Sequence, residues 1–271
     1  MPLVLATTTP GEPEIFASIQ GEGISAGAEC AFIRLSRCNL ACRWCDTAYT
    51  WRFEGDERPH RDGVHYDRKA EQVTLSEEAA AARIAAFGRD RLVITGGEPL
   101  LQATALARML EILEHLVSPR AGGGLPQSGK GPRLRGDSQK GSLYVEIETN
   151  GTVRPPAALD ALVHQYNVSP KLTHSGNPGE LALIPARLAE WAANPRAWFK
   201  FVIAEPADVE EVLVLAARHE IPAARIMLMA EGTAAQTLAS REEWLAPLAL
   251  AHSLTLSKRL HIEMFGDTRG T

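Results

Sequence analysis

The sequence is short of cysteine, of aromatic residues and of positive charge. Its 271 residues include 4 cysteines and 6% aromatics, and 28 Lys and Arg stand against 33 Asp and Glu, a formal net charge of -5. So few thiols, without a paired spacing, indicate a reducing compartment rather than a disulfide framework. The acidic balance argues against a broad nucleic-acid-binding surface.

Long apolar runs are also absent. No stretch reaches the roughly 18 residues that a membrane-spanning helix needs. The first residues, "MPLVLATTTPGEPEIF", lack the basic region and long apolar stretch of a signal peptide. We therefore expect a cytoplasmic protein without a membrane span, and the length predicts one domain over residues 1–271.

Short β-rich runs alternate with amphipathic helical patterns along most of the chain. "AFIRLS", "RLVIT" and "AWFKFVI" are typical of strands, and "LLQATALARMLEILEHL" is typical of a helix. This alternation predicts an α/β fold with a parallel sheet and crossover helices. We expect an incomplete (β/α) barrel of about six parallel strands, with the active site at the C-terminal strand ends. An open doubly wound sheet is the alternative, because periodicity does not separate the two.

Four local features are predicted with less context. Thr74 and Glu77 have the spacing of a capping box at a helix start. "PAALDALVHQY" is predicted to be a helix and "LHIEMF" the last strand. Residues 119–142 are rich in Gly, Ser and basic residues, so we expect a mobile insertion there.

Three of the few cysteines lie close together, directly after a predicted strand. Cys38, Cys42 and Cys45 have C-x3-C-x2-C spacing, which leaves one thiol over if a disulfide forms. A structural zinc site needs four ligands, and His60 or His65 could complete one. Three thiolates also suit an iron–sulfur cluster with one open iron, which the spacing favours without excluding zinc. Cys30, outside the motif, is predicted to be a small buried hydrophobe.

Two motifs resemble the radical S-adenosylmethionine superfamily. The first is "CNLACRWCDT", with an aromatic residue before its third cysteine, and the second is "VITGGEPLLQ". The resemblance implies a 4Fe-4S cluster on the three cysteines and S-adenosylmethionine on the open iron, as the source of a 5′-deoxyadenosyl radical. It also implies that the backbone around Gly96–Pro99 receives the methionine amino group.

A third stretch, "EIFASIQGEG", resembles the 7-carboxy-7-deazaguanine synthase family within that superfamily. The similarity extends to "AFIRLSRC", "ETNGT", "VSPK" and the terminal "MFGDTRGT". It implies a carbon–nitrogen lyase that converts 6-carboxy-5,6,7,8-tetrahydropterin to 7-carboxy-7-deazaguanine, with loss of ammonia, in 7-deazapurine and queuosine biosynthesis.

The resemblance also implies a set of contacts. Those to S-adenosylmethionine are Trp44, Cys45, Asp46, Gly97, Ser169, Pro170, Lys171, Leu228, Met229, Ala230 and Glu231. Those to the substrate are Ile19, Gln20, Gly21, Glu22, Arg34, Thr95, Glu148 and Thr271. Thr47 is implied to share a Mg²⁺ ion with the pterin carboxylate.

Structural alternatives remain open for six of these residues. Taken alone, Lys171 could be a solvated lysine and Glu148 an ordinary surface acid. Arg34 could pair only with an acid on a neighbouring strand, and Glu22 could only cap a loop. Thr47 could cap the next turn, and Thr271 could be part of a frayed end.

The resemblance further implies a homodimer and an electron donor such as flavodoxin, with neither a membrane nor direct nucleic-acid contact. Two other functions compete with it. A glycyl-radical-enzyme activase shares the cysteine spacing but lacks an IQGEG segment. A non-enzymatic zinc or RNA-binding module would make the three cysteines structural.

Overall fold

The computed structural model describes residues 2–117 and 143–271, so the predicted insertion at 119–142 lies outside the described residues. The strands are β1 Leu3–Thr9, β2 Glu12–Pro13, β3 Ile15–Ile19, β4 Glu29–Leu35, β5 Gln72–Leu75, β6 Arg91–Gly96, β7 Tyr144–Thr149, β8 Gln165–Val168, β9 Ala197–Ile203, β10 Ile226–Ala230 and β11 Thr255–Ser257. The helices are α1 Arg68–Glu71, α2 Glu77–Ala85, α3 Ala103–Val117, α4 Ala157–Asp160, α5 Gly179–Ala182, α6 Pro185–Ala193, α7 Pro206–Arg218, α8 Ala235–Ala251 and α9 Leu260–Phe265.

The sheet is mostly parallel, as the alternation predicted. In the described residues, β4 and β6 to β11 pair in chain order as seven parallel strands. The N-terminal strands add an antiparallel extension, because β1 and β3 both pair with β4 and β5 pairs with β1. This arrangement confirms the incomplete (β/α) barrel.

The two faces of the parallel strands differ in chemistry. One face contributes apolar side chains such as Ile147, Tyr166 and Phe199 to the main core, together with the helices. The alternate positions carry buried polar groups, among them Glu146 on β7 and Lys200 on β9. Because side chains alternate along a strand, the polar set shares the opposite face of the sheet. The site must therefore lie on that face.

Three local predictions were wrong. "LHIEMF" forms helix α9 rather than a strand, because β11 ends at Ser257 and only Ile262 of α9 is buried. Thr74 does not cap a helix, because it pairs with Val4 in the β1–β5 ladder. The helix in "PAALDALVHQY" is limited to α4, and β8 begins at Gln165.

The structure also shows elements that the repeating pattern did not predict. These are the antiparallel strands β1 to β3 and β5, which precede or interrupt the βα alternation. In the part of the chain that is described, no helix is long and apolar enough to cross a bilayer.

Helix α2 tests the corrected cap assignment. Ser76 Oγ accepts a hydrogen bond from the Ala79 N–H at 3.2 Å. We expect Ser76→Ala to lower the free energy of unfolding by about 1 kcal/mol. Thr74→Ala, at an exposed position of β5, should change it by less than about 0.5 kcal/mol. Urea denaturation of the two variants measures both values, and equal losses would contradict the assignment.

Candidate functional site

One cavity lies at the carboxyl ends of the parallel strands and collects almost all predicted site residues. The three clustered cysteines, Thr47 and every predicted substrate residue line it. The predicted S-adenosylmethionine contacts that line it are Trp44, Cys45, Asp46, Gly97, Ser169, Lys171, Met229, Ala230 and Glu231.

Two predicted contacts lie elsewhere. Leu228 is fully buried in the main core, because alternate residues of β10 face opposite sides of the sheet and Met229 takes the cavity side. Pro170 is buried but does not line the cavity, unlike its neighbours Ser169 and Lys171. Neither side chain is therefore positioned to contact a ligand.

The end of β6 lies directly against the base of the cysteine loop. The Gly97 N–H donates to the Leu35 carbonyl at 3.0 Å, and the Glu98 N–H donates to the Arg37 carbonyl at 2.9 Å. A Cβ on Gly96 would lie 2.0 Å from the Leu35 oxygen, and one on Gly97 would lie 2.1 Å from the Arg37 oxygen. Both glycines are thus required for this close backbone approach.

Glu98 joins the ends of β6 and β7. Its buried carboxylate accepts hydrogen bonds from Leu100 N at 3.0 Å, Asn150 N at 2.7 Å and Thr149 Oγ1 at 2.8 Å. Burial raises the pKa of the Glu98 carboxyl, and these hydrogen bonds, which lower it, offset only part of that effect. Glu98 does not line the cavity, so its function is to hold the loops that do.

The three clustered cysteines are free thiols, of which Cys42 is buried and Cys38 and Cys45 are partly buried. Burial raises the pKa of Cys38 to about 12 and the pKa of Cys42 to about 11, and it also raises the pKa of Cys45. Neutral thiols of this kind become thiolates when metal ions supply positive charge, since metal binding releases their protons. The donor set therefore fits a metal cluster.

No preformed site for a single zinc ion is found at the same place in the described residues. Among the described residues, no three His, Cys, Asp or Glu side chains are grouped to hold one metal ion. The ring nitrogens of His60 are paired with Asp62 and with the Cys45 carbonyl, and His65 Nε2 is paired with the Asp56 carbonyl. A cluster, by contrast, needs thiolates that are spread around a larger group.

Trp44, a predicted S-adenosylmethionine contact, has an unpaired polar atom among the described residues. Its buried Nε1 has no hydrogen-bond partner in the described residues. The ring stacks on His174 at a centroid distance of 5.4 Å, and Lys171 Nζ lies 5.5 Å from its centroid. A bound polar group could satisfy the indole N–H.

A chain of charged side chains runs across the cavity from Asp46 to Glu148. Arg259 contacts Asp46 and, at 2.9 Å, Glu22, while Lys200 contacts Glu22 and lies 3.9 Å from Glu148. Burial would raise the pKa of Glu22, but the positive charges of Lys200 and Arg259 hold it far below its usual value. Glu22 is therefore anionic and already paired.

Lys200, Arg259 and His261 were missed in the sequence. Lys200 had a usable signal, because it is the one charge in the apolar strand "AWFKFVI". Burial would lower the pKa of Lys200, but the Glu22 carboxylate raises it, so the side chain is a cation. Arg259 and His261 had no such signal, because they do not interrupt an apolar strand. They lie at the start of α9, after the short strand β11.

Apart from this chain of charges, an ion pair between Arg34 and Glu14 lies beside the cavity. Arg34 Nε donates to Glu14 at 2.7 Å, and Tyr49 Oη donates to the same carboxylate at 3.0 Å. The alternative that Arg34 pairs with a neighbouring acid is thus correct in part, because Glu14 binds it. Within the described residues its two terminal nitrogens have no hydrogen-bond partner, and Arg34 lines the cavity.

Known proteins resemble the chain along nearly its full length. The family model described as the Radical SAM superfamily matches residues 32–172. The 7-carboxy-7-deazaguanine synthase of Pyrobaculum aerophilum is 34% identical over 260 residues, which cover 95% of each chain. That of Hyperthermus butylicus is 34% identical and covers 92% of this chain and 90% of its own.

Among solved structures, QueE from Escherichia coli has a similar fold. Its crystal structure gives a TM-score of 0.59 at 24% identity and covers 94% of this chain and 93% of its own. At this identity the similarity shows the fold alone.

The cysteine assignment predicts a clear split among four variants. Replacing Cys38, Cys42 or Cys45 with Ala should abolish both iron binding and cleavage of S-adenosylmethionine. Cys30→Ala should retain both, because Cys30 is buried beside Phe32 and Val93 and does not itself line the cavity. Iron content after anaerobic reconstitution and 5′-deoxyadenosine formation measure the outcome. Full iron content in Cys42→Ala would contradict the assignment.

Proposed function

The chain belongs to the 7-carboxy-7-deazaguanine synthase family of the Radical SAM superfamily, and we propose that its strand-end cavity is the place of that family's reaction. It is a radical S-adenosylmethionine lyase that converts 6-carboxy-5,6,7,8-tetrahydropterin to 7-carboxy-7-deazaguanine with loss of ammonia. The observation that carries the proposed site is that three free thiols and paired substrate-side charges line one cavity. The glycyl-radical activase and the zinc or RNA-binding module are thereby set aside.

The cofactors are a 4Fe-4S cluster and S-adenosylmethionine. When bound, they supply one-electron reduction and a carbon radical that removes an unreactive hydrogen. Cys38, Cys42 and Cys45 would hold the cluster. Trp44 and Lys171 would lie against S-adenosylmethionine, the first with a free indole N–H and the second as a cation held by Ser169 Oγ at 2.9 Å.

The pterin carboxylate has one evident partner. Arg34 keeps its terminal nitrogens free while Glu14 fixes the inner end of its guanidinium. A planar guanidinium held in this way can bind a carboxylate through two parallel hydrogen bonds. Glu14 and Tyr49, which also line the cavity, therefore orient the group that is proposed to bind the carboxylate.

The guanidine-like edge of the pterin fits Glu148 better than Glu22. Glu22 is occupied by Lys200 and Arg259. Glu148 is held more lightly, by Thr95 Oγ1 at 2.7 Å and Gln20 Nε2 at 3.3 Å. Its carboxylate retains acceptor capacity at the cavity surface, since a carboxylate accepts about four hydrogen bonds. Glu22 then acts as a positioning residue for the two cations.

Other features of the proposal come from the family resemblance alone. They are a homodimer, a flavodoxin-like electron donor and a cytoplasmic compartment. No contact among the described residues bears on them. Sedimentation tests the dimer, a comparison of turnover with different electron donors tests the reductant, and cell fractionation tests the compartment.

The function itself is tested by anaerobic turnover. Reconstituted protein is mixed with the tetrahydropterin, S-adenosylmethionine and a chemical reductant, and the products are identified by mass spectrometry. We expect 7-carboxy-7-deazaguanine together with ammonia. Cleavage of S-adenosylmethionine without a deazaguanine product would indicate a different substrate.

Magnesium is proposed at Thr47. Its hydroxyl lines the cavity, 3.6 Å from the Cys45 sulfur, and makes no capping hydrogen bond to the turn that follows. A hydroxyl of this kind can join a Mg²⁺ shell that is otherwise built from substrate oxygens and water. Because Thr47 makes no capping bond, the magnesium role is favoured over the capping alternative.

Thr47→Ala should therefore weaken the stimulation of turnover by magnesium, by about tenfold. Thr47→Ser retains the hydroxyl and should respond as the unchanged protein does. The rates are measured as a function of magnesium concentration, with 5′-deoxyadenosine formation as the control for an intact cofactor site. Equal stimulation of all three proteins would rule the role out.

The C-terminal tail is proposed to close over the substrate. Thr271 and Arg269 both line the cavity, and Arg269 fixes the tail by an ion pair with Glu71 at 2.6 Å. The Arg269 guanidinium also lies 3.6 Å from the centroid of the Tyr49 ring, and Tyr49 holds Glu14. The tail is thus anchored to the group that orients Arg34, which argues against a frayed end.

Loss of this anchor should affect the pterin and not the cofactor. We expect Arg269→Ala to raise KM for the pterin about tenfold, a loss of ~1.4 kcal/mol in binding. KM for S-adenosylmethionine should stay unchanged. Arg83→Ala, which breaks the exposed pair with Glu12, is the matched control and should alter neither constant. An unchanged KM for the pterin in Arg269→Ala would show that the tail has no part in binding.

A further inference from the structure

The turn that follows β8 packs against the cysteine loop. The Arg43 N–H donates to the Ser175 carbonyl at 2.9 Å, and the Ala41 N–H donates to Asn177 Oδ1 at 2.8 Å. Both bonds reach the stretch between Cys38 and Cys45. The shape of the cysteine loop is therefore set in part by a segment more than a hundred residues further along the chain.

Asn177 also contacts a cysteine directly. Its Nδ2 lies 3.3 Å from Cys42 Sγ and 3.1 Å from Ser175 Oγ. The orientation of the amide is fixed, because rotating it by half a turn would place its N–H groups against the Ala41 N–H. Asn177 is thus bound to donate toward the Cys42 sulfur.

The other two cysteines have weaker side-chain donors. Cys38 Sγ accepts the Leu40 N–H at 3.4 Å and has Asn150 Nδ2 at 3.9 Å. Cys45 Sγ has the Thr47 hydroxyl at 3.6 Å, together with contacts to the Trp51 side chain and the Thr47 backbone N–H, and no side-chain amide among the described residues. In the described part of the chain, Asn177 is the one hydrogen-bond donor to Cys42. The strongest amide-to-sulfur contact of the site is therefore at Cys42.

We propose that Asn177 is a positioning residue for the iron–sulfur cluster, which holds Cys42 in place and stabilises the reduced cluster through its N–H···S hydrogen bond. The inference rests on the proposed function, because it requires the cluster to be present. Added electron density on a cluster strengthens hydrogen bonds to its thiolate sulfurs, so such bonds raise the reduction potential. Asn177 does not line the cavity, so it has no direct contact with either ligand.

Asn177→Asp separates the hydrogen bond that the side chain accepts from those that it donates. The new carboxylate can still accept the Ala41 N–H, so the loop keeps its shape, but it cannot donate to Cys42. We expect a fully loaded cluster with a more negative reduction potential. The potential is measured on the anaerobically reconstituted protein by redox titration, with the electron paramagnetic resonance signal of the reduced cluster as the readout.

Asn39→Asp is a control for a negative charge in the cysteine loop, and the neutral Asn177→Leu, which loses the donor without adding charge, controls for the greater burial of Asn177. Asn39 lies in the same loop, is exposed and bonds to Thr152 and Asn150 rather than to a sulfur. Its variant should shift the potential clearly less. Equal shifts in both variants, or no shift in Asn177→Asp, would overturn the proposal.

A further variant addresses the case in which the Asn177→Asp protein does not incorporate the cluster. Asn177→Leu removes all three contacts of the side chain and should lower the iron content as well as the reduction potential. Circular dichroism shows whether Asn177→Asp is folded. If it is folded but loses iron while Asn39→Asp retains iron, the result supports a role of Asn177 in keeping Cys42 in position. If the unchanged protein binds no cluster, the cofactor assignment fails as well. A loaded cluster with an unaltered potential in both Asn177 variants contradicts the inference alone.

Discussion

The ion pairs of Glu22 are the interaction on which the site depends. Glu22 comes from the segment between β3 and β4, Lys200 from β9 and Arg259 from the stretch after β11. The carboxylate thus joins three parts of the chain across the opening of an incomplete barrel. Removing one partner of a buried pair leaves an uncompensated charge, at a cost of about 3–5 kcal/mol. The barrel is held closed at the place where its strands do not pair.

The same pairs determine how the two halves of the cavity relate. Asp46 directly follows a proposed cluster ligand, and Arg259 connects it to Glu22. Lys200 continues the connection to Glu148 on the substrate side. Because every charge in the chain has an opposite neighbour, a shift of one group changes the field at the next. The cofactor side and the substrate side are therefore parts of one electrostatic unit.

Local sequence signals were enough for the parallel strands, the crossover helices and the cysteine loop. They failed where the outcome depended on distant partners. "LHIEMF" has the composition of a strand, but β11 already holds the sheet edge and the segment coils into α9. Thr74 has the spacing of a cap, but pairing with β1 takes it into a strand. Leu228 was included with a strand end, although alternation along β10 would have assigned it to the core.

The segment "IQGEG" shows how a substrate signature and a structural requirement coincide. Gln20 donates to Glu146 at 2.8 Å and to Glu148 at 3.3 Å, so it fixes the carboxylate that is proposed to bind the substrate. A Cβ on Gly21 would lie 2.0 Å from His261 Nδ1, so only glycine lets α9 approach. Glu22 then binds the two cations. Gly21 and Glu22 thus bring the segment together with the chain that follows β11, and Gln20 ties it to β7. A pattern that predicts a substrate can do so because it builds the wall of the pocket, even where its side chains do not contact the ligand.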